Sequence, residues 1–193
     1  MKKIFAICLL PIVIIIACIN QSKKTTKPNQ AYVQDDSITL KCNYTINDLR
    51  SDFLDKELNK IVKNDSCYTV RDSILIGEDL EWNSKIFYKN NQISFMVENN
   101  WRDKRKISRI IILDENLKTS DGLGIGEKFI NIRNFVSKKI PSMPDGYFAV
   151  IDANESKIFY HLDVEKYPDL SKGLINNIYE IPDSVEVSSI TIQ

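Results

Sequence analysis

The side chains best placed to do chemistry in this chain are four cysteines and one histidine. A Ser-His-Asp or Cys-His engine needs an imidazole to carry its proton, and His161 is the only one present. It lies in Ile158-Phe-Tyr-His-Leu-Asp163, where strand alternation puts it on one side with Phe159 and Asp163. No Gly-x-Ser-x-Gly nucleophile motif accompanies it, so catalysis is not expected there. One histidine and two distant cysteines do not make the four-ligand spacing of zinc, and neither metal nor cofactor is expected. Gly122-x-Gly124-x-Gly126 invites a phosphate-loop reading, since glycines bare backbone N–H groups ahead of a helix. The spacing misses the dinucleotide fingerprint, and no Lys-Ser or Lys-Thr follows. A tight strand-to-helix turn, capped by Asp121, accounts for it more simply. Asp114 with Glu115, or Asp79 with Glu81, has the composition of an acid-base pair, but nothing separates either from solvated surface.

The cysteines divide by position. Cys8 lies inside an apolar leader and Cys18 ends it, which leaves Cys42 and Cys67 in the body of the chain. In an oxidising compartment these two can close a disulfide between an early strand and the segment after the first helix. They can equally be two buried thiols, because cysteine packs as a small apolar residue. Spacing alone does not choose, since it says nothing of the Cα separation that a disulfide requires.

The leader begins with the basic Met1-Lys2-Lys3 and continues as an apolar run over 4–17, broken by Pro11. That length suits a signal-peptide core and falls short of the ~20 residues of a spanning helix. Its end, Ile15-Ile16-Ala17-Cys18, resembles the lipobox of bacterial lipoproteins: an aliphatic residue, a tolerant position, a small residue, then cysteine. The resemblance implies a signal peptide over 1–17 and an acylated Cys18 whose thiol takes diacylglycerol. The acyl chains would anchor the protein in the membrane, each buried CH₂ contributing about 0.8 kcal/mol. Residues 18–36 then form the lipidated terminus and a polar, flexible tether carrying Pro28. No acidic residue follows Cys18 until Asp35. By resemblance to envelope sorting rules, that implies the periplasmic face of the outer membrane.

What remains, 37–193, has the size of a single domain. The chain is 43% hydrophobic and 27% charged, which excludes disorder throughout. Lys plus Arg equals Asp plus Glu at 26 each; losing Lys2 and Lys3 with the leader leaves 24 against 26. That near balance gives no reason to expect a nucleic-acid partner.

The elements that must position these residues come in two similar runs. Thr45 followed three places later by Asp48 predicts a capping box, and Ile46, Leu49, Phe53, Leu58, Ile61 and Val62 extend a helical period to about Lys63. Short strands at 67–70 and 73–76 are expected next, then a hairpin of 82–88 with 92–98 across Lys89-Asn90-Asn91, and a strand at 107–113. In the second run a helix over 127–139 presents Phe129, Ile132, Val136 and Ile140, and Pro141 stops it. A hairpin of 147–151 with 157–163 follows. The connection 164–182 has no clear pattern, and a strand at 185–192 closes the chain. Ile107-Ser-Arg-Ile-Ile-Ile112 and Val187-Ser-Ser-Ile-Thr-Ile192 share a pattern, and each closes its run. The expected fold is α+β, an antiparallel sheet with helices packed on one face and duplicated helix-hairpin-strand halves at 37–118 and 119–193.

Thr119-Ser-Asp-Gly-Leu-Gly-Ile-Gly126 and the helix after it resemble a module of small, uncharacterised Bacteroidetes-type envelope lipoproteins. The layout, though not the residues, is also similar to the small lipoprotein of the outer-membrane barrel-assembly machinery and to the β-lactamase-inhibitor protein. The resemblance implies a non-catalytic interaction domain with an envelope protein as partner. A periplasmic small-molecule or lipid-binding module is the alternative. The candidate contact surface is Trp101, Arg102, Lys104 and Arg105, extended by Lys106, with Trp82, Tyr147 and Phe148 as further aromatic candidates.

Overall fold

The computed structural model describes residues 37–61, 67–77, 80–100, 102–141 and 147–193. The cleavage site, Cys18 and the tether lie outside the described residues, as do Trp101 and Asp79.

The capping box forms as the sequence predicts. Thr45 Oγ1 accepts from the Asp48 N–H at 3.1 Å, and Asp48 accepts the Thr45 N–H at 2.9 Å. The helix it starts, α1 (Ile46–Phe53), is much shorter than the period suggests. Asp55 turns the chain at φ 64°. The backbone is then drawn into pairing with the approach to a strand: Asp55 N–H to Ile107 O at 2.9 Å, and Leu58 N–H to Arg105 O at 2.8 Å. Leu58 and Ile61 are still buried, but from a 3₁₀ turn (Leu58–Lys60) and its exit. The second helix is corrected in the same way. α2 (Phe129–Ile132) and a 3₁₀ turn (Arg133–Phe135) replace the run over 127–139, because Ser137 N–H is claimed by Ile151 O at 2.7 Å.

Among the described residues seven strands make one antiparallel sheet: β1 (Thr69–Gly77), β2 (Leu80–Lys89), β3 (Gln92–Asn99), β4 (Ile107–Ile112), β5 (Ala149–Ile151), β6 (Ile158–Leu162) and β7 (Val187–Ile192). Their order is β1-β2-β3-β4-β7-β6-β5. The two short strands expected at 67–70 and 73–76 are a single nine-residue edge strand, β1. Asn90 and Asn91 turn the β2–β3 hairpin with φ 50° and 65°, the left-handed values that asparagine tolerates. The connection after β6 carries α3 (Pro168–Ser171) and a 3₁₀ turn (Ile178–Glu180). The fold is mainly β, with few and short helices.

Alternation sends Phe87, Phe95, Val97, Ile110, Ile112, Ile158, Tyr160, Ile190 and Ile192 to one face, all buried. Phe53 of α1 sits on that face with its ring 5.7 Å from those of Phe87 and Phe95. Phe129, Ile132, Leu170 and Ile178 join the same core. Each such side chain contributes roughly 1.5–3 kcal/mol by leaving water. On the opposite face Ile86, Met96, Ile111 and Phe159 are only half-buried.

β4 and β7 meet in the middle of the sheet, with Ile110↔Ile192, Ile111↔Thr191 and Ile112↔Ile190 in register. The flanking ladders match as well. Between β3 and β4 the register shifts after Glu98↔Arg109 to Asn99↔Ile107, leaving Ser108 as the extra residue. Between β6 and β7 it shifts after His161↔Ser189 to Leu162↔Val187, leaving Ser188.

Candidate functional site

Three of the four residues in the expected contact surface are described, and two of them line a cavity. Lys104 and Arg105 belong to the turn between β3 and β4. Two hydrogen bonds to its carbonyls hold it: the Asn99 side chain donates from Nδ2–H to Lys104 O at 2.6 Å, and Leu58 N–H donates to Arg105 O at 2.8 Å. The turn therefore stands over the exposed end of the β1–β2 ribbon. The space between them is an open cavity of about 710 Å³. Leu58, Asp72, Ile74, Asn83 and Lys85 line it together with Lys104 and Arg105. Arg102 is not among the lining residues; its N–H bonds the Asn100 side chain at 2.8 Å.

Cross-strand pairing puts Asp72 opposite Lys85, and their side chains form an ion pair at 2.5 Å. Lys85 is nearly buried, and the pairing offsets the cost of taking its charge from water. With Asp72 and Lys85 cancelling, the charge left in the lining is that of Lys104 and Arg105. Arg105 Nε meets Asp103 at 3.4 Å, a long contact on a side chain 80% exposed. Beside the cavity, Ile74 and Ile76 of β1 are 63% and 74% exposed. Sequence reasoning missed this role. Ile74-Leu-Ile76 reads as an ordinary strand, and nothing in it says that the strand would lie at an edge.

The remaining candidates are used structurally. Cys42 and Cys67 are joined as a disulfide, with Cα atoms 5.2 Å apart. Gly122 and Gly126 take φ +80° and +81°, conformations that favour glycine. Their N–H groups are spent on Thr119 O at 3.0 Å and Val187 O at 2.9 Å, so they form a turn and leave no cradle for phosphate. Asp114 accepts from Asn116 N–H and Ser94 Oγ at 2.9 and 2.8 Å. Burial opposes its ionisation, but those hydrogen bonds outweigh it and hold the carboxyl below its usual range. Tyr147 is exposed and Phe148 buried.

His161 sits on the sheet's other face, its Nε2 2.9 Å from Thr191 Oγ1. Burial lowers its pKa, and the charge of Arg109 lowers it further. A catalytic triad places a carboxylate beside its imidazole; the neighbouring charge here has the opposite sign. Arg109 is itself engaged, with Nε and a terminal nitrogen on Glu98 Oε2 at 2.6 and 2.5 Å and its guanidinium 5.9 Å from the Trp82 ring centre. A recess of about 640 Å³ runs past them, bordered by Tyr147, Asp163 and Glu165.

Among the described residues, no His, Cys, Asp and Glu side chains gather in threes as a metal site would need. No family model matches the chain, and no curated protein does. Among solved structures it is similar to the crystal structure of the uncharacterized protein yfeY from Escherichia coli, with a TM-score of 0.50 and 17% identity over 65% of this chain and 82% of that one. At that identity the likeness is one of fold alone.

Proposed function

We propose that this chain is a lipid-anchored protein of a bacterial envelope, held through Cys18 on the periplasmic face of the outer membrane, and that its sheet domain is a non-catalytic protein-interaction module. The observation that carries the interaction reading is the pair Ile74 and Ile76, aliphatic and mostly exposed on an edge strand beside a cationic turn. The lipobox Ile15-Ile16-Ala17-Cys18 carries the anchor. A tether of this kind raises the local concentration of the domain at the membrane. Crosslinking on intact cells followed by mass spectrometry tests the interaction, and failure to recover any reproducible partner would sink it. Incorporation of labelled palmitate, abolished by Cys18→Ser, tests the anchor.

The cavity of about 710 Å³ has the size that the alternative, a small-molecule or lipid-binding module, requires. Its lining speaks against an acyl chain, because among its side chains only Leu58 and Ile74 are aliphatic.

We also read the domain as α+β with two related halves, 37–118 and 119–193. In support, both halves run helix, hairpin, strand, and an offset of 80 carries β4 onto β7. The same offset turns Ile110↔Ile192 into Ile112↔Ile190 and carries the bulged Ser108 onto Ser188. Among the described residues no strand of the second half corresponds to β1.

A further inference from the structure

We infer that the outer edge of β1, with the cavity under the Lys104–Arg105 turn, receives an extended acidic and aliphatic segment of a partner protein by strand addition. This rests on the protein-interaction reading above and names its site and the chemistry of its partner.

β1 pairs only with β2 and ends the sheet, so along Thr69–Gly77 the backbone groups of its outer side meet no strand among the described residues. Natural sheets usually blunt such an edge with short strands, lysines, proline or a bulge. β1 is nine residues long, carries no lysine or proline, and pairs with β2 without a register shift; its charged residues, Arg71 and Asp72, precede the stretch Ile74–Gly77. Its end also projects: Ile74–Gly77 pair with Leu80–Asn83, while β3 pairs with β2 only from Ser84 onward. An added strand would lie against Ile74 and Ile76, since opposed residues in a ladder share a face.

Charge selects the occupant. The turn over 102–106 holds Arg102, Lys104, Arg105 and Lys106 against the single acid Asp103. Asp72, the acid of β1, is already paired with Lys85. A second copy of this chain would bring the same cations to both sides of the seam and repel. A lipid chain would need a continuous aliphatic wall, and only Leu58 and Ile74 supply aliphatic side chains here. A strand with aliphatic side chains on one face and carboxylates within reach of Lys104 and Arg105 matches the edge that no described strand covers, the exposed isoleucines and the net positive charge of the turn together.

The test places a benzophenone amino acid at position 76 of the full-length chain in cells, with one at exposed Tyr179 as the control. Formaldehyde crosslinking of the unaltered chain runs in parallel. The expected result is an adduct at position 76 whose sequenced peptide is acidic and aliphatic and comes from another protein. Its yield should fall roughly tenfold in the Lys104→Glu, Arg105→Glu double variant, and position 179 should yield no such adduct. Both variant sites are exposed, and thermal melts of the purified chains check that folding is intact. An adduct at 76 with a second copy or with lipid overturns the inference, and so does an undiminished yield in the double variant. If formaldehyde captures a partner and position 76 does not, the site is wrong and the interaction reading stands. If neither captures one, both fall.

Discussion

Ile111 of β4 and Thr191 of β7 face each other at the centre of the sheet, and the pairs on either side, Ile110↔Ile192 and Ile112↔Ile190, are mirror counterparts under an offset of 80 residues. The four flanking isoleucines are fully buried, so the seam between the two runs of strands lies within the packed core. Ile112→Ala and Ile192→Ala should each cost about 3 kcal/mol, through lost burial and the cavity left behind. Urea unfolding midpoints measure this; a loss under 1 kcal/mol would mean that the seam is not a packed core.

The Glu98 carboxylate is buried, and Arg109 supplies its counter-charge. Arg109→Ala leaves that charge unpaired and should destabilise the fold by about 3 kcal/mol. Glu98→Gln in the same chain should recover part of the loss by removing the stranded charge. A double variant no more stable than Arg109→Ala would assign the cost to lost packing of the guanidinium on Trp82.

His161 should make stability fall in mild acid. Its folded pKa is depressed, first by burial and then by Arg109, below the ordinary value of about 6.5. Below that value the unfolded chain takes up a proton that the folded chain refuses, so stability present above about pH 6.5 is lost as pH falls towards the folded pKa. Denaturation midpoints between pH 8 and pH 5 should show a slope that His161→Gln flattens. Parallel curves for the two proteins would remove His161 as its source.

The Cys42–Cys67 bond spans 25 residues, including all of α1. Closing a loop of that length restricts the unfolded chain by about 3 kcal/mol in the chain-entropy picture. Reduction, or Cys42→Ser with Cys67→Ser, should lower the melting temperature accordingly. An unchanged melt would show that the bond contributes nothing to the fold's stability.

Loss of Thr45 tests the helix start by itself. Thr45→Ala removes the acceptor of the Asp48 N–H and should cost about 1 kcal/mol, read as a shift in the same denaturation midpoint. Thr45→Ser, which keeps the hydroxyl, should cost much less.

Local chemistry settled what was legible in the sequence. The capping box at Thr45 and Asp48, the Asn90-Asn91 turn and the strand alternation around Phe87, Phe95 and Tyr160 depend on neighbours a few residues away, so short windows of sequence contain them. The lipobox ending at Cys18 is likewise a local pattern and remains the basis for the proposed anchor. Tertiary structure decided where each helix stops, because strand-like hydrogen bonds to Ile107 and Ile151 come from residues far along the chain and outcompete the helical period. It also decided the strand order. That order leaves β1 at an edge, brings the Lys104–Arg105 turn over Ile74 and sets Glu98 against Arg109. Nothing within a few residues of Ile74 encodes that position, since an edge exists only once the other six strands have paired.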